Sequence, residues 1–198
     1  MGISMDGKRV LLCFALLLFP LTGQAAVIEL SGLYAYSKSS FNDGYKSNTR
    51  RYTGSIDFKF TAISALQFEY TNSRTNISYP TNVGGELAYY TPESTTYVDK
   101  VYSFNWVQNL VPSKWIFQPY FVLGGGKMKR TLTREYPELG VSQTVVQNVT
   151  TGTGGAGIRL FFTKNMAVKA EAKTYVPKFQ FSKWKESQQT SVGLSWVF

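Results

Sequence analysis

The sequence predicts an all-β fold, an eight-stranded antiparallel transmembrane β-barrel wound as an up-and-down meander, and three observations lead there. Apolar and polar residues alternate with period two in eight successive segments, as they do when a strand shows different surroundings to its two faces. The connections between those segments alternate between short and long. One face carries large aromatic rings toward the segment ends, while the other carries acids and bases in nearly equal number.

Ahead of the first segment, residues 1–25 read as a secretory signal peptide. Lys8 and Arg9 form a basic start, and residues 10–19 are the unbroken apolar run VLLCFALLLF. Pro20 ends the run, and Gly23 and Ala25 put small residues where a signal peptidase reads. The run is far short of the roughly 20 residues a spanning helix needs. Cleavage after Ala25 and export are therefore expected, with residues 26–198 forming one outer-membrane barrel domain. The single cysteine, Cys13, lies inside this leader, behind a Leu12 too bulky for a lipoprotein cleavage site. Past the leader there is no thiol, which excludes disulfides, thiolate metal sites and cysteine nucleophiles. Histidine is absent from the whole chain, and neither a cofactor nor a metal is expected.

The first segment sets Ile28, Leu30, Gly32, Tyr34 and Tyr36 against Glu29, Ser31, Leu33, Ala35 and Ser37. Residues 51–60 set Tyr52, Gly54, Ile56, Phe58 and Phe60 against Arg51, Thr53, Ser55, Asp57 and Lys59. The last segment sets Thr190, Val192, Leu194, Trp196 and Phe198 against Ser191, Gly193, Ser195 and Val197. Between them come residues 65–75 (Leu66, Phe68 and Tyr70 on one face), 96–107 (Val98, Tyr102, Phe104, Trp106), 115–129, 149–163 (Ile158, Leu160, Phe162) and 166–176 (Met166, Val168, Ala170, Ala172, Val176). The register of 115–129 stays open, because apolar residues fall on both of its faces. Residues 61–64, 108–114 and 164–165 read as short turns; 38–49, 76–95, 130–148 and 177–187 read as long polar loops. Short turns at one end and long loops at the other are the pattern of outer-membrane barrels, and an even strand count puts both termini at the turn end.

Period-two strands also build soluble sandwiches and lipocalin-like barrels, and that alternative stays open. Lipid is favoured by the rings Tyr34, Tyr36, Tyr52, Phe58, Phe60, Tyr102, Trp106, Trp196 and Phe198, spread like interfacial girdles. The opposite face adds a second argument. Eight strands leave an interior just wide enough for side chains, so charges there must pair. Glu29, Asp57, Glu69 and Glu171 can balance Lys59, Arg159, Lys169 and Lys173. The formal charge of +9 suits either nucleic acid or anionic headgroups. With 16% aromatic beside 17% charged residues and no run of five like charges, no nucleic-acid partner is expected.

These segments, the stretch Pro119-Tyr120-Phe121-Val122-Leu123-Gly124-Gly125-Gly126 and the terminal Ser195-Trp196-Val197-Phe198 resemble the small OmpA-type and OmpX-type outer-membrane barrels. The resemblance implies that Val192, Leu194, Trp196 and Phe198 form the tag read by the outer-membrane assembly machinery. It covers the barrel only: the peptidoglycan-binding domain that follows many OmpA-type barrels has no counterpart, so no wall-tethering role is carried over. Outer-membrane lipid and lipopolysaccharide are the expected surroundings, and a monomer is the expected state.

Gly152-Thr153-Gly154-Gly155-Ala156-Gly157 satisfies G-x-G-x-x-G, but Ile158-Arg159-Leu160-Phe161-Phe162 after it reads as a strand rather than the helix a dinucleotide requires. Barrel families that are deacylases, palmitoyl transferases, phospholipases or omptin proteases place a histidine at the site, and here none exists. The expectation is therefore no enzyme, with a structural or surface-interaction role in the bacterial envelope. Basic residues at the loop end (Lys127, Lys129, Arg130 and Arg134, then Lys178, Lys183 and Lys185) are candidates for holding lipopolysaccharide or another anionic surface. A narrow channel for small solutes is the alternative, and an unrecognised envelope enzyme using Asp57 and Glu69 the third.

Overall fold

The computed structural model describes residues 27–40, 46–78, 94–136, 140–180 and 188–198. The leader and part of each long connection lie outside these, and with them Lys183 and Lys185. The strands are β1 (Val27–Ser40), β2 (Lys46–Lys59), β3 (Ser64–Ser78), β4 (Ser94–Asn109), β5 (Phe117–Tyr136), β6 (Val141–Phe161), β7 (Met166–Pro177) and β8 (Gln188–Val197). Each pairs antiparallel with the next, and β1 pairs with β8 to close the barrel. Closure leaves no sheet edge in the wall, the condition for a β-structure to stand in hydrocarbon.

The short turns share one end with the termini. In two of them a threonine hydroxyl supplies the turn chemistry. Thr61 Oγ1 accepts from the N–H groups of Ile63 and Ser64 at 3.2 and 2.8 Å. Thr163 Oγ1 accepts from those of Asn165 and Met166 at 3.3 and 2.9 Å. The N–H of Phe198 donates to the carbonyl of Ile28 at 2.8 Å, fastening the chain end to β1.

At the other end the strands run further than the alternation suggests. β1 continues to Ser40 and β2 begins at Lys46, inside the expected first loop. The largest correction is residues 130–148, read as a loop but mostly the distal part of the β5–β6 hairpin. These strands have 20 and 21 residues, against the roughly 9–11 a tilted membrane crossing takes. Beyond the membrane both faces meet water, so the apolar–polar alternation disappears while β-branched Thr131, Thr133, Thr144, Val145 and Val146 still favour strand. The Thr133 and Thr144 hydroxyls lie 3.3 Å apart across the pair.

The open register of 115–129 has a structural cause. Gln118, Tyr120, Val122 and Met128 are buried inside, whereas Phe117, Phe121 and Leu123 are exposed on the outer wall. Both faces are apolar because Tyr120 and Val122 meet Ala65 and Val107 in a small interior cluster. The glycine run of β6 serves the same packing: a Cβ on Gly157 would come within 2.4 Å of the Tyr120 ring, and one on Gly155 within 2.6 Å of the Ala172 carbonyl.

Candidate functional site: a plugged lumen and a basic outer belt

Period-two alternation sends every second residue into the lumen, and the eight charges expected there are all buried. They form one connected network. Arg159, fully buried, lies at its lower centre. Its Nε donates to Glu29 Oε1 at 2.8 Å, its Nη2 to Asp57 Oδ2 at 3.2 Å and its Nη1 to Asn109 Oδ1 at 2.6 Å. Lys59 Nζ is 2.8 Å from the other oxygen of Glu29. The Arg159 guanidinium also lies 4.3 Å from the centroid of the Tyr120 ring, a cation–π contact in a desolvated site. Gln67 Nε2 donates to Asp57 Oδ1 at 2.9 Å, and Asn105 Nδ2 donates to Gln67 in turn.

One layer up, Lys173 Nζ bridges Glu69 and Glu171, the latter at 2.9 Å. Tyr120 donates its hydroxyl to Glu171 at 2.9 Å, and Tyr175 donates to Glu69 at 2.8 Å. Lys169 joins the layers more loosely, 4.0 Å from Asp57 and 3.9 Å from Glu171. Charges taken out of water this completely persist only with partners on both sides, because removing one partner leaves the other unpaired. The lumen from Glu29 to Tyr175 is a packed ionic plug.

The outer wall is apolar: Ile28, Leu30, Ile56, Phe58, Phe68, Phe104, Leu160, Val168 and Leu194 are all exposed on it. Rings meet along both margins. Phe60 and Trp106, with centroids 5.3 Å apart, and Trp196 and Phe198, 5.9 Å apart, sit near the turn end. Tyr34 and Tyr52 (5.2 Å) and Tyr70 and Tyr102 (4.9 Å) sit near the loop end. Of the terminal residues, Val192, Leu194, Trp196 and Phe198 all project outward with these rings.

Directly above the upper tyrosines the outward positions turn basic. Arg50 pairs in register with Arg74, Lys100 with Lys129, and Tyr102 with Lys127, and all five cations are exposed. Lys178 joins them: its N–H donates to the Thr150 carbonyl at 2.7 Å, and Thr150 is the register partner of Lys127. Like charges placed directly opposite one another repel, so such a ladder is costly unless anions lie against it. Below Lys127, glycines at 54 and 125 leave a groove of about 830 Å³ in the wall, lined by Leu30, Ile56, Phe68, Tyr70, Tyr102 and Phe104.

Two of the basic residues expected in the loop 130–148 sit on β5 instead. Arg130 faces inward from β5, and its Nε and Nη2 donate to the two oxygens of Asp99, each at 2.8 Å. Arg134 is exposed further out on the hairpin. Arg50 belongs to the strand-borne belt, and Arg51, on the polar face of residues 51–60, lies buried in the lumen as that face requires. Arg74 and Lys100 were not singled out from sequence. Their signal was the continuation of the outward period past the tyrosines, in the line Phe68, Tyr70, Asn72, Arg74. Among the described residues no group of three or more metal-ligating side chains comes together.

A closed antiparallel barrel with a lipid-facing apolar wall, ring girdles at both margins and an ion-paired interior is a transmembrane β-barrel of the outer-membrane type. The chain belongs to the outer membrane protein β-barrel domain family, whose model matches residues 11–198, and its place is the bacterial outer membrane. Solved structures agree on the fold. The OprG outer membrane protein of Pseudomonas aeruginosa has a TM-score of 0.58 at 11% identity, covering 88% of this chain and 97% of that one. The N-terminal barrel domain of Pseudomonas aeruginosa OprF has a TM-score of 0.54 at 17% identity, covering 89% and 100%. Ail, the attachment invasion locus protein of Yersinia pestis, solved with the heparin analogue sucrose octasulfate, has a TM-score of 0.54 at 17% identity, covering 88% and 100%. No curated protein sequence matches significantly.

Proposed function

We propose that this barrel is a surface-interaction protein of the envelope that holds lipopolysaccharide on its outer wall, and that it acts by binding rather than catalysis. The observation that carries this reading is the basic belt of Arg50, Arg74, Lys100, Lys127, Lys129 and Lys178 above an apolar groove. One amphiphile satisfies both: an acyl chain in the groove and a phosphate at Lys127, Lys100 or Lys129 through charge-assisted hydrogen bonds. The belt faces lipid headgroups from the strands, so the contact does not depend on the loops. The filled lumen supports this reading over a pore, and no steady conductance in planar bilayers is expected.

The test is lipopolysaccharide binding to the folded protein across a salt series. Exposed charges are screened within about 10 Å at 0.1 M salt, so affinity falls as salt rises. A basic residue near an anionic membrane surface contributes about 1 kcal/mol. Replacing Lys100, Lys127 and Lys129 together with alanine should therefore weaken binding by more than about tenfold, with heat-modifiable gel mobility unchanged. Salt-independent binding that the triple variant retains would overturn the proposal.

A further inference from the structure

We infer that the upper lumen is a binding site for a small anion: one oxyanion group, carboxylate, phosphate or sulfate, on a sugar-sized hydroxylated carrier, with Arg51 as its anchor. The inference starts from the inward-facing charges. Below, Glu29, Asp57, Glu69 and Glu171 are matched by Lys59, Arg159, Lys169 and Lys173. Above, Asp99 is matched by Arg130 through two parallel hydrogen bonds. Arg51 is the cation left over among the described residues of the lumen.

Its setting is unlike that of an ordinary surface arginine. Arg51 is only 8% exposed. Its Nη2 donates to Ser73 Oγ at 3.2 Å, and its buried Nε has no hydrogen-bond partner. A guanidinium carries five N–H donors in a rigid fork shaped for an oxyanion. The carboxylates at hand are already committed, Asp99 to Arg130 and Glu69 to Lys173 and Tyr175. Burying a cation without an anion is expensive, and an anion from solution removes that cost.

The space to receive one adjoins it. A cavity of about 760 Å³ occupies the upper lumen above Tyr175, of the size that takes a small-molecule ligand. Besides Arg51 it is lined by the paired Asp99 and Arg130, by Gln188 and Gln189, and by hydroxyls, among them Ser47, Thr49, Ser73, Thr75 and Thr190. Thr49 and Thr75 already contact each other at 2.9 Å, which fixes their oxygens on the wall. A cationic floor beneath a hydroxyl-lined wall recognises a charge at one end of a ligand and hydroxyls along the rest. The site is separate from the belt, which faces lipid on the other side of the same strands.

The experiment uses the full barrel folded in detergent and titrated with glucuronate, glucose 6-phosphate and uncharged glucose. Binding is read by calorimetry, and at the Arg51 Nε–H resonance in the unmodified protein. Both acids should bind and move that resonance while glucose does neither, and Arg51→Gln should weaken the acids at least tenfold. The same uronate at the end of a tetrasaccharide separates the sources: a weaker response than the monosaccharide marks a free solute, an equal or stronger one a surface glycan. Alanine replacement of Lys100, Lys127 and Lys129 should leave this binding unchanged, so failure here and failure of the lipopolysaccharide reading are distinguishable. Equal binding of glucose, undiminished acid binding by Arg51→Gln, or an Arg51 resonance that ignores both acids would each overturn the inference. The resonance measurement stands even where the variant folds poorly.

Discussion

Below Tyr175 the lumen is closed by ion pairs in which Arg159 alone reaches two carboxylates and an amide; above it, around Arg51, the same eight strands enclose a hydroxyl-lined cavity. The difference follows from what surrounds each half. The lower half is walled by lipid, so its polar side chains have only one another, and every strong charge faces an opposite one, Lys169 at the longest distances. The upper half belongs to strands that run on past the tyrosine girdle into polar surroundings. There a hydroxyl or an unmatched cation can find a partner that is not part of the chain. Two arginines on inward positions thus have opposite settings: Arg159 is held by carboxylates of the barrel, and Arg51 only by the Ser73 hydroxyl.

The sharpest way to break that comparison is to replace each arginine with methionine. Arg159→Met takes one donor each from Glu29, Asp57 and Asn109, and should cost about 3–5 kcal/mol, the usual effect of removing one partner from a buried pair. Arg51→Met removes a buried charge that has no ion-pair partner among the described residues, so it should change stability by less than about 1 kcal/mol, or raise it. Reversible urea unfolding in lipid vesicles measures both. Similar losses in the two variants would mean that the upper lumen is as tightly paired as the lower.

A smaller effect tests the wall around the lower half. Ile56 faces outward between Phe58 near the turn end and Tyr52 in the upper girdle. Ile56→Arg should cost about 2–4 kcal/mol in vesicles, and Phe58→Arg, nearer the margin, distinctly less. Equal costs at the two depths would place the apolar band elsewhere along the strands.

How far the sequence was legible follows the same division. In the lower half, lipid outside and ions inside impose opposite chemistry on alternate residues, so Asp57 beside Phe58 and Ser195 beside Leu194 reveal their faces directly. In β5 the pattern blurs, since Tyr120 and Val122 build an apolar patch inside the barrel itself. Far above the girdle, in the distal β5–β6 hairpin, water meets both faces and the alternation ceases to carry information. That is why residues 130–148, Arg130 among them, read as loop although Arg130 faces inward from β5. Asp99 was equally silent: a lone acid in a polar stretch gives no sign of facing Arg130 until the β4–β5 register places them opposite each other.

The smallest expected effect is also the one whose sign decides most. Lys129 stands directly opposite Lys100 on the outer wall, with Lys127 beside Tyr102 one step below. Without an anionic partner this arrangement is a repulsion, and like charges at opposed positions cost a few tenths of a kcal/mol up to about 1. In a zwitterionic detergent, Lys129→Ala should therefore stabilise the barrel slightly, by about 0.5 kcal/mol. In lipopolysaccharide the same substitution removes a phosphate contact and should destabilise it. A lysine pair kept only for solubility would give the same sign in both media, because nothing in the second would answer its charge. Reversal of sign between the two media ties the belt to an anion rather than to the fold.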